Sequence, residues 1–243
     1  MSVTCTELQV PTGEGSMRTF NARPSAGRGP DVVLYMDAVG YREELKEFTR
    51  RLARAGYSGW LPDLFYRDGG PSFNPHSPRE DLERFTPLMR KLTRDAVLRD
   101  TRALIDWIGA QESPFGKMGT IGFCMGGRMA LWAAAEFPER IAAVASLHGG
   151  QLGTASPDSP HRFAERLDCE LYLGFASDDD LVPQEHIETL QAALDAAQVP
   201  YEIETHAGTQ HGYTFPARNC YNHAAAEKSW ERVLSLFARK LHP

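Results

Sequence analysis

Gly122-Phe123-Cys124-Met125-Gly126-Gly127 is the stretch whose reading decides the fold. An apolar run from Met118 to Phe123 leads into it and has the pattern of a buried strand. Arg128 to Phe137 leads out of it and reads as a helix. A Gly-x-nucleophile-x-Gly segment between strand and helix is a nucleophile elbow. The bend is sharp, so its flanks must lack bulk, and Gly122 and Gly126 supply that. Such a bend lifts one side chain to the end of the sheet, and here that side chain is a thiol.

Working outward in both directions, short apolar runs alternate with helical spacing. Thr6 to Val10 and Met17 to Ala22 read as a hairpin around Gly13-Glu14-Gly15. Val32 to Met36 is an unbroken apolar run, the pattern of a strand covered on both faces. Leu45, Phe48, Leu52 and Ala55 then share one helical face, and Gly56 stops that helix. Tyr57 to Leu61 reads as a strand, and Tyr66 to Ser77 as a loop rich in Gly, Pro, Asn and Asp. Asp81 to Trp107 is mostly helical, in two pieces. Ile141 to Leu147, Leu171 to Ala176 and Tyr201 to His206 are three further strands. Gln151 to Pro160 reads as a loop, and helices are expected at Gln184 to Ala197 and Tyr221 to Leu241. The sum is a single α/β domain over residues 1–243, with about eight strands in a mostly parallel sheet flanked by helices on both faces.

The bulk numbers agree with that class. The chain has 243 residues, 42% hydrophobic and 24% charged, enough for a sizeable core. A formal net charge of -6 argues against nucleic acid or an anionic membrane as partner. No apolar run approaches the length of a membrane span, and the first residues lack the pattern of a signal peptide. The four cysteines, Cys5, Cys124, Cys169 and Cys220, are scattered and form no C-x-x-C pair. That spacing points to a reducing cytoplasm and to no metal site. The strand pattern serves monomers and dimers alike.

The chemistry follows from three loops. Cys124 follows the fifth strand, Ser177-Asp178-Asp179-Asp180 the seventh and Ala207-Gly208-Thr209-Gln210-His211-Gly212 the eighth. Nucleophile, acid, then histidine is the chain order of α/β-hydrolases. Ligands bind at the carboxyl ends of strands in such sheets, so the three loops can meet there. Cys124 is the expected nucleophile, its thiolate favoured by a helix N-terminus. His211 is the expected base and Asp179 its orienting acid. The oxyanion is expected on the backbone N–H groups of Met125 and Ala38. His211 has seven rivals, and its Gly-rich turn after the last strand singles it out. His206 is expected inside a strand and His148 in packing beside the pocket.

With these residues in place the chain resembles the dienelactone hydrolase family, from about Val32 to Leu241. The resemblance rests on Gly122-Phe123-Cys124-Met125-Gly126-Gly127, on Asp179 four residues before Pro183, on His211-Gly212-Tyr213 and on Leu61-Pro62-Asp63-Leu64-Phe65. It implies hydrolysis of a small-molecule enol-lactone or ester by Cys124, Asp179 and His211, without metal or organic cofactor. It also implies an acidic residue after the third strand that engages the resting thiol. Asp37 occupies that place, where a glutamate is common. Carboxylate-binding arginines are implied near Arg79 or Arg84 and soon after the histidine, where the arginine is displaced to Arg218. Tyr213, Phe215, Phe73 and Tyr66 are expected as an apolar pocket wall.

Two other readings use the same residues. A class I glutamine amidotransferase also has a G-x-C-x-G elbow, but it pairs its histidine with a glutamate two residues on, where this chain has Tyr213. A hydrolase-fold binding or regulatory protein without turnover is the third reading, favoured only if the thiol is unreactive.

Overall fold

The computed structural model describes residues 1–71, 73–76, 78–111 and 115–242, with the backbone alone described at Arg79. Eight strands form one sheet: β1 (Val3–Thr12), β2 (Gly15–Pro24), β3 (Asp31–Tyr35), β4 (Ser58–Pro62), β5 (Met118–Phe123), β6 (Ile141–Leu147), β7 (Glu170–Asp178) and β8 (Tyr201–Gln210). Their spatial order is β1-β2-β4-β3-β5-β6-β7-β8. Only the β1–β2 and β2–β4 pairs are antiparallel; from β4 onward every pair is parallel. Every residue of β3, β4 and β5 is buried. Successive side chains point to opposite faces of a strand, so both faces of the central sheet are covered.

Among the described residues six α-helices provide the cover: α1 (Glu43–Arg54), α2 (Leu82–Lys91), α3 (Arg94–Gln111), α4 (Met125–Glu136), α5 (Gln184–Ala196) and α6 (His223–Leu241). The sequence of α1 explains its orientation. Leu45, Phe48 and Leu52 are buried at helical spacing, Glu43 and Glu44 sit in the first turn, and Arg51 and Arg54 in the last, matching the helix dipole. Each such apolar side chain stabilises the fold by about 1.5–3 kcal/mol. Arg51 forks onto both carboxylate oxygens of Glu227 at 2.7 Å, tying α1 to α6. Helix α4 is buried at nearly every position and packs against β5 and β6. An aromatic cluster fills the space under the elbow: the Phe48 ring lies 5.1 Å from Phe123, 5.7 Å from Phe215 and 5.5 Å from Trp230.

The last two strands run further than their apolar residues suggest. Ser177-Asp178 and Ala207 to Gln210, expected as loops, continue the β7–β8 ladder past an irregularity between Ala176 and Asp178. Gly208, at a φ of 67°, takes up the extra chain. Pairing resumes at Asp178 opposite Gln210. The next residue on each strand is Asp179 and His211, so the ladder itself delivers them side by side. The hairpin is also longer than expected, because backbone pairing continues from Val3 opposite Pro24 to Thr12 opposite Gly15 whatever the side chains.

Candidate active site

The elbow is built by two close approaches. A Cβ at Gly122 would lie 1.9 Å from the carbonyl oxygen of Gly126, and a Cβ at Gly126 would lie 2.4 Å from that of Tyr35. Only glycine permits α4 to start this near the ends of β5 and β3. Cys124 sits between them at φ 55° and ψ -119°, a backbone conformation costly for a residue with a side chain. Its N–H donates to the Leu147 carbonyl at 3.1 Å, and its own carbonyl accepts from Gly127 at 3.0 Å and Gly150 at 3.2 Å. The strained bend is therefore fixed from three sides, and the residue remains partly accessible.

His211 and Asp179 lie against it. His211 Nδ1 is 2.8 Å from Asp179 Oδ2, and the carboxylate side chain is 1% exposed. The other oxygen of Asp179 accepts from the Leu181 N–H at 3.0 Å. His211 Nε2 is buried with no well-formed hydrogen bond, leaving it free for a proton on the thiol side. Burial opposes ionisation of Cys124, but the nearby charge of His211 prevails and holds the thiol below its ordinary value. Burial likewise opposes a charged His211. The Cys124 thiolate, then the Asp179 hydrogen bond, overcome that and push the imidazole up to about 10. Both shifts run in the direction that favours a thiolate beside an imidazolium.

The Met125 and Ala38 N–H groups make no hydrogen bond among the described residues. Met125 opens α4, so its N–H has no partner within the helix. Ala38 lies in the turn after β3, against which Gly126 packs. The Met125 donor thus stands unused at the elbow itself.

Asp37 has different company from the thiol contact the resemblance implied. It is fully buried and holds two arginines, Arg42 at 2.5 Å and Arg218. Arg42 also reaches Glu44, and Glu44 accepts the Ala217 N–H at 3.0 Å. The guanidinium carbons of Arg42 and Arg218 lie 4.8 and 4.3 Å from the centre of the Phe215 ring. This network pins the segment after His211 to the turn after β3. Asp37 and Arg218 act on Cys124 at longer range and in opposite directions, the carboxylate raising and the guanidinium lowering the thiol.

Other expected site residues are placed elsewhere. Tyr213 is fully buried, its hydroxyl 2.8 Å from Ser229 Oγ, so it anchors the histidine turn to α6 and lines no pocket. Phe215 is equally buried, and Tyr66 bonds Thr12 at 2.8 Å and Asp100 at 3.0 Å. Arg84 is exposed, paired with Asp81 at 2.5 Å and set over the Phe73 ring. The side chain of Arg79 lies outside the described residues. Their sequence signals were aromatic or basic character in a loop, which does not separate packing from binding.

Two residues gain importance. His148, at φ 41° and fully buried, sets its ring edge-on to His211 at 5.0 Å and bonds Thr214 through Nε2 at 2.8 Å. Burial, then the His211 charge, hold it well below its ordinary value, so it packs as a neutral ring. Arg128 is half-buried one helical turn after Cys124. Its i+4 spacing from the nucleophile was legible in the sequence as a shared helix face. Among the described residues no group of acids, histidines and cysteines is arranged to hold a metal ion, and no helix is long and apolar enough to cross a membrane.

A thiol on a glycine-flanked elbow, an imidazole and a carboxylate at the carboxyl end of an eight-stranded, mostly parallel sheet make this an α/β-hydrolase. The comparisons narrow the class. The model of the dienelactone hydrolase family matches residues 17–241, and the chain belongs to that family. A Salmonella typhi protein named "Putative carboxymethylenebutenolidase" is 30% identical over 235 residues, 95% of this chain and 85% of the relative. The carboxymethylenebutenolidase of Rhodococcus opacus is 27% identical over 228 residues, 91% of this chain and 86% of the relative. A solved structure of the dienelactone hydrolase-like promiscuous phosphotriesterase P91, from metagenomic libraries, superimposes with a TM-score of 0.82 at 23% identity, covering 99% of each chain. That likeness is one of fold.

Proposed function

We propose that this hydrolase cleaves a carboxylic ester or lactone through an acyl-thioester on Cys124. The Cys124 thiolate attacks the substrate carbonyl carbon, and the oxygen that gains charge is received by the Met125 and Ala38 N–H groups. The tetrahedral adduct collapses, the bond to the leaving oxygen breaks, and His211 gives that oxygen its proton. In a lactone the leaving group stays tethered to the acyl chain. Water then attacks the thioester, His211 takes its proton, and the thiolate leaves with the free acid. Asp179 holds the imidazole tautomer through Nδ1 and stabilises its charged form.

The observation that carries this reading is the free, buried Nε2 of His211 beside a thiol whose ionisation it favours, with Nδ1 fixed on Asp179. The amidotransferase reading lacks its acid, since Tyr213 turns into the core. The carboxymethylenebutenolidase names of the relatives support a lactone among the substrates. The family supports a small-molecule substrate, and four free cysteines support a reducing, cytoplasmic setting.

The test is a panel of lactones, aryl esters and thioesters with wild type, Cys124→Ser and Cys124→Ala, analysed by mass spectrometry of intact protein and peptides. An acyl adduct mapped to Cys124 in the wild type, with turnover lost in Cys124→Ala, is expected. Turnover that survives Cys124→Ala refutes the mechanism.

A further inference from the structure

Cys124, His148, Asp179 and His211 are each the first residue after a strand: β5, β6, β7 and β8 respectively. Those four strands lie side by side in that order. Neighbouring strands are about 4.8 Å apart, so the strands that carry the thiol and the imidazole are separated by roughly 14 Å. His211 therefore leans across the ends of β7 and β6 to meet Cys124. At the end of β7 it finds Asp179, which holds Nδ1 at 2.8 Å. One hydrogen bond fixes a point on the ring and leaves its plane free to pivot. At the end of β6 it finds His148, whose ring centre lies 5.0 Å away with the two planes 68° apart.

His148 is itself fixed at both ends. Its N–H donates to the Gly174 carbonyl of β7 at 2.7 Å. Its Nε2 is hydrogen-bonded to the Thr214 hydroxyl at 2.8 Å, three residues beyond His211, and both residues are buried. The ring also lies 5.6 Å from Tyr213 and 5.4 Å from Phe215, so it is wedged under the turn that carries His211. The arrangement is costly in two ways. The backbone sits at φ 41°, in the left-handed region, and Nδ1 is buried with no partner. A side chain needed for packing alone would carry neither cost. Burial, then the charges of His211 and Arg218, keep the ring neutral, so it lies against an imidazolium without opposing its charge.

Resting on the ester-hydrolase reading, we propose that His148 is a positioning residue: its ring, tethered by Thr214, holds the plane of His211 so that Nε2 faces Cys124 and the leaving oxygen. Fully buried, His148 touches no substrate and acts through His211 alone. Its contribution falls on the proton that His211 delivers.

The probes are 4-nitrophenyl valerate and phenyl valerate, which give the same acyl-thioester and differ only in the oxygen that leaves. 4-Nitrophenolate departs readily as an anion, whereas the phenyl ester needs the proton of His211. The readout is the ratio of kcat/KM for the phenyl ester to that for the 4-nitrophenyl ester. In Thr214→Val, which keeps the shape and loses the tether, the ratio is expected to fall by about threefold or more. In His148→Ala, which also loses the ring, a fall of about tenfold or more is expected. His148→Phe restores the ring without the tether and is expected to match Thr214→Val. An unchanged ratio in the folded variants, whether the two esters suffer equal losses or none, would mean that His148 serves the fold alone and would overturn the proposal.

Iodoacetamide alkylation of Cys124 reads the same contact without turnover. A displaced His211 supports the thiolate less, so the onset of alkylation in Thr214→Val and His148→Ala is expected about 0.5 pH higher or more. Should the wild type cleave neither ester, the hydrolase reading fails and alkylation decides: the upward shift supports the positioning role, and a wild-type profile in folded Thr214→Val overturns it. An unchanged ester ratio beside normal turnover of 4-nitrophenyl valerate overturns the proposal and leaves the hydrolase reading standing.

Discussion

Replacing Asp179 with Asn changes one charge and almost no volume, so it isolates what the carboxylate does. In the native arrangement that carboxylate is 1% exposed and sits 2.8 Å from His211 Nδ1. Opposite charges about 4 Å apart in such a partly buried site interact by about 4 kcal/mol at an effective dielectric of 20. At 1.36 kcal/mol per factor of ten, an imidazolium left without that support lowers kcat by roughly 10³.

The pH profile carries the sign. His211 is held high by the Cys124 thiolate and then by Asp179, while Cys124 is held low by His211 against the opposing effect of burial. The thiolate–imidazolium pair therefore exists above the lowered thiol value and below the raised imidazole value of about 10. Asp179→Asn lowers the upper edge directly. It raises the lower edge indirectly, because a less charged His211 supports the thiolate less. The assay is kcat/KM on 4-nitrophenyl valerate from pH 5 to 11, beside the rate of iodoacetamide alkylation of Cys124 over the same range. Asp180→Asn, at an exposed position in the same turn, is the control. A variant with a wild-type profile and wild-type alkylation would refute the assignment of Asp179 and the charge argument with it.

Three further outcomes follow from packing. Gly126→Ala forces a Cβ to 2.4 Å from the Tyr35 carbonyl oxygen and 2.6 Å from that of Met36; a loss of about 3 kcal/mol is expected from such overpacking, read as a fall in Tm in calorimetry. Asp37→Asn leaves two largely buried guanidinium groups facing an uncharged partner, so about 3 kcal/mol of stability, roughly 10 °C in Tm, should be lost, and a Tm within 2 °C of wild type would contradict the clamp. Tyr213→Phe removes the hydroxyl from the buried bond with Ser229; about 1 kcal/mol in urea unfolding is expected, with substrate KM unchanged, and a large rise in KM would return Tyr213 to the pocket wall.

What could be read in the sequence was local. Two glycines flanking Cys124, apolar runs separated by helical spacing, and His211 in a Gly-rich turn after the last strand each bear their meaning within a few residues. Those signals were enough for the α/β class, the strand count and the elbow. The apparent limits of β7 and β8 were less legible, because backbone pairing from Asp178 to Gln210 continues without apolar side chains.

Charge and aromatic character behaved differently. Asp37 and Arg218 stand 181 positions apart, yet one network joins them with Arg42 and Glu44. Tyr213 and Phe215 read as pocket residues and turned inward, since a ring in a loop is equally suited to either place until its neighbours are known. Arg128 shows the same limit from the other side: its spacing from Cys124 was visible, but its neutral partner, Gln151, was not. By itself the chain determined the bend, the order of the three loops and the alternation that buries the sheet, because those follow from steric bulk and periodicity. Which charges are cancelled and which stand without a counter-ion was decided only by the tertiary structure, because Coulomb interactions and burial depend on distances that the order of residues does not contain.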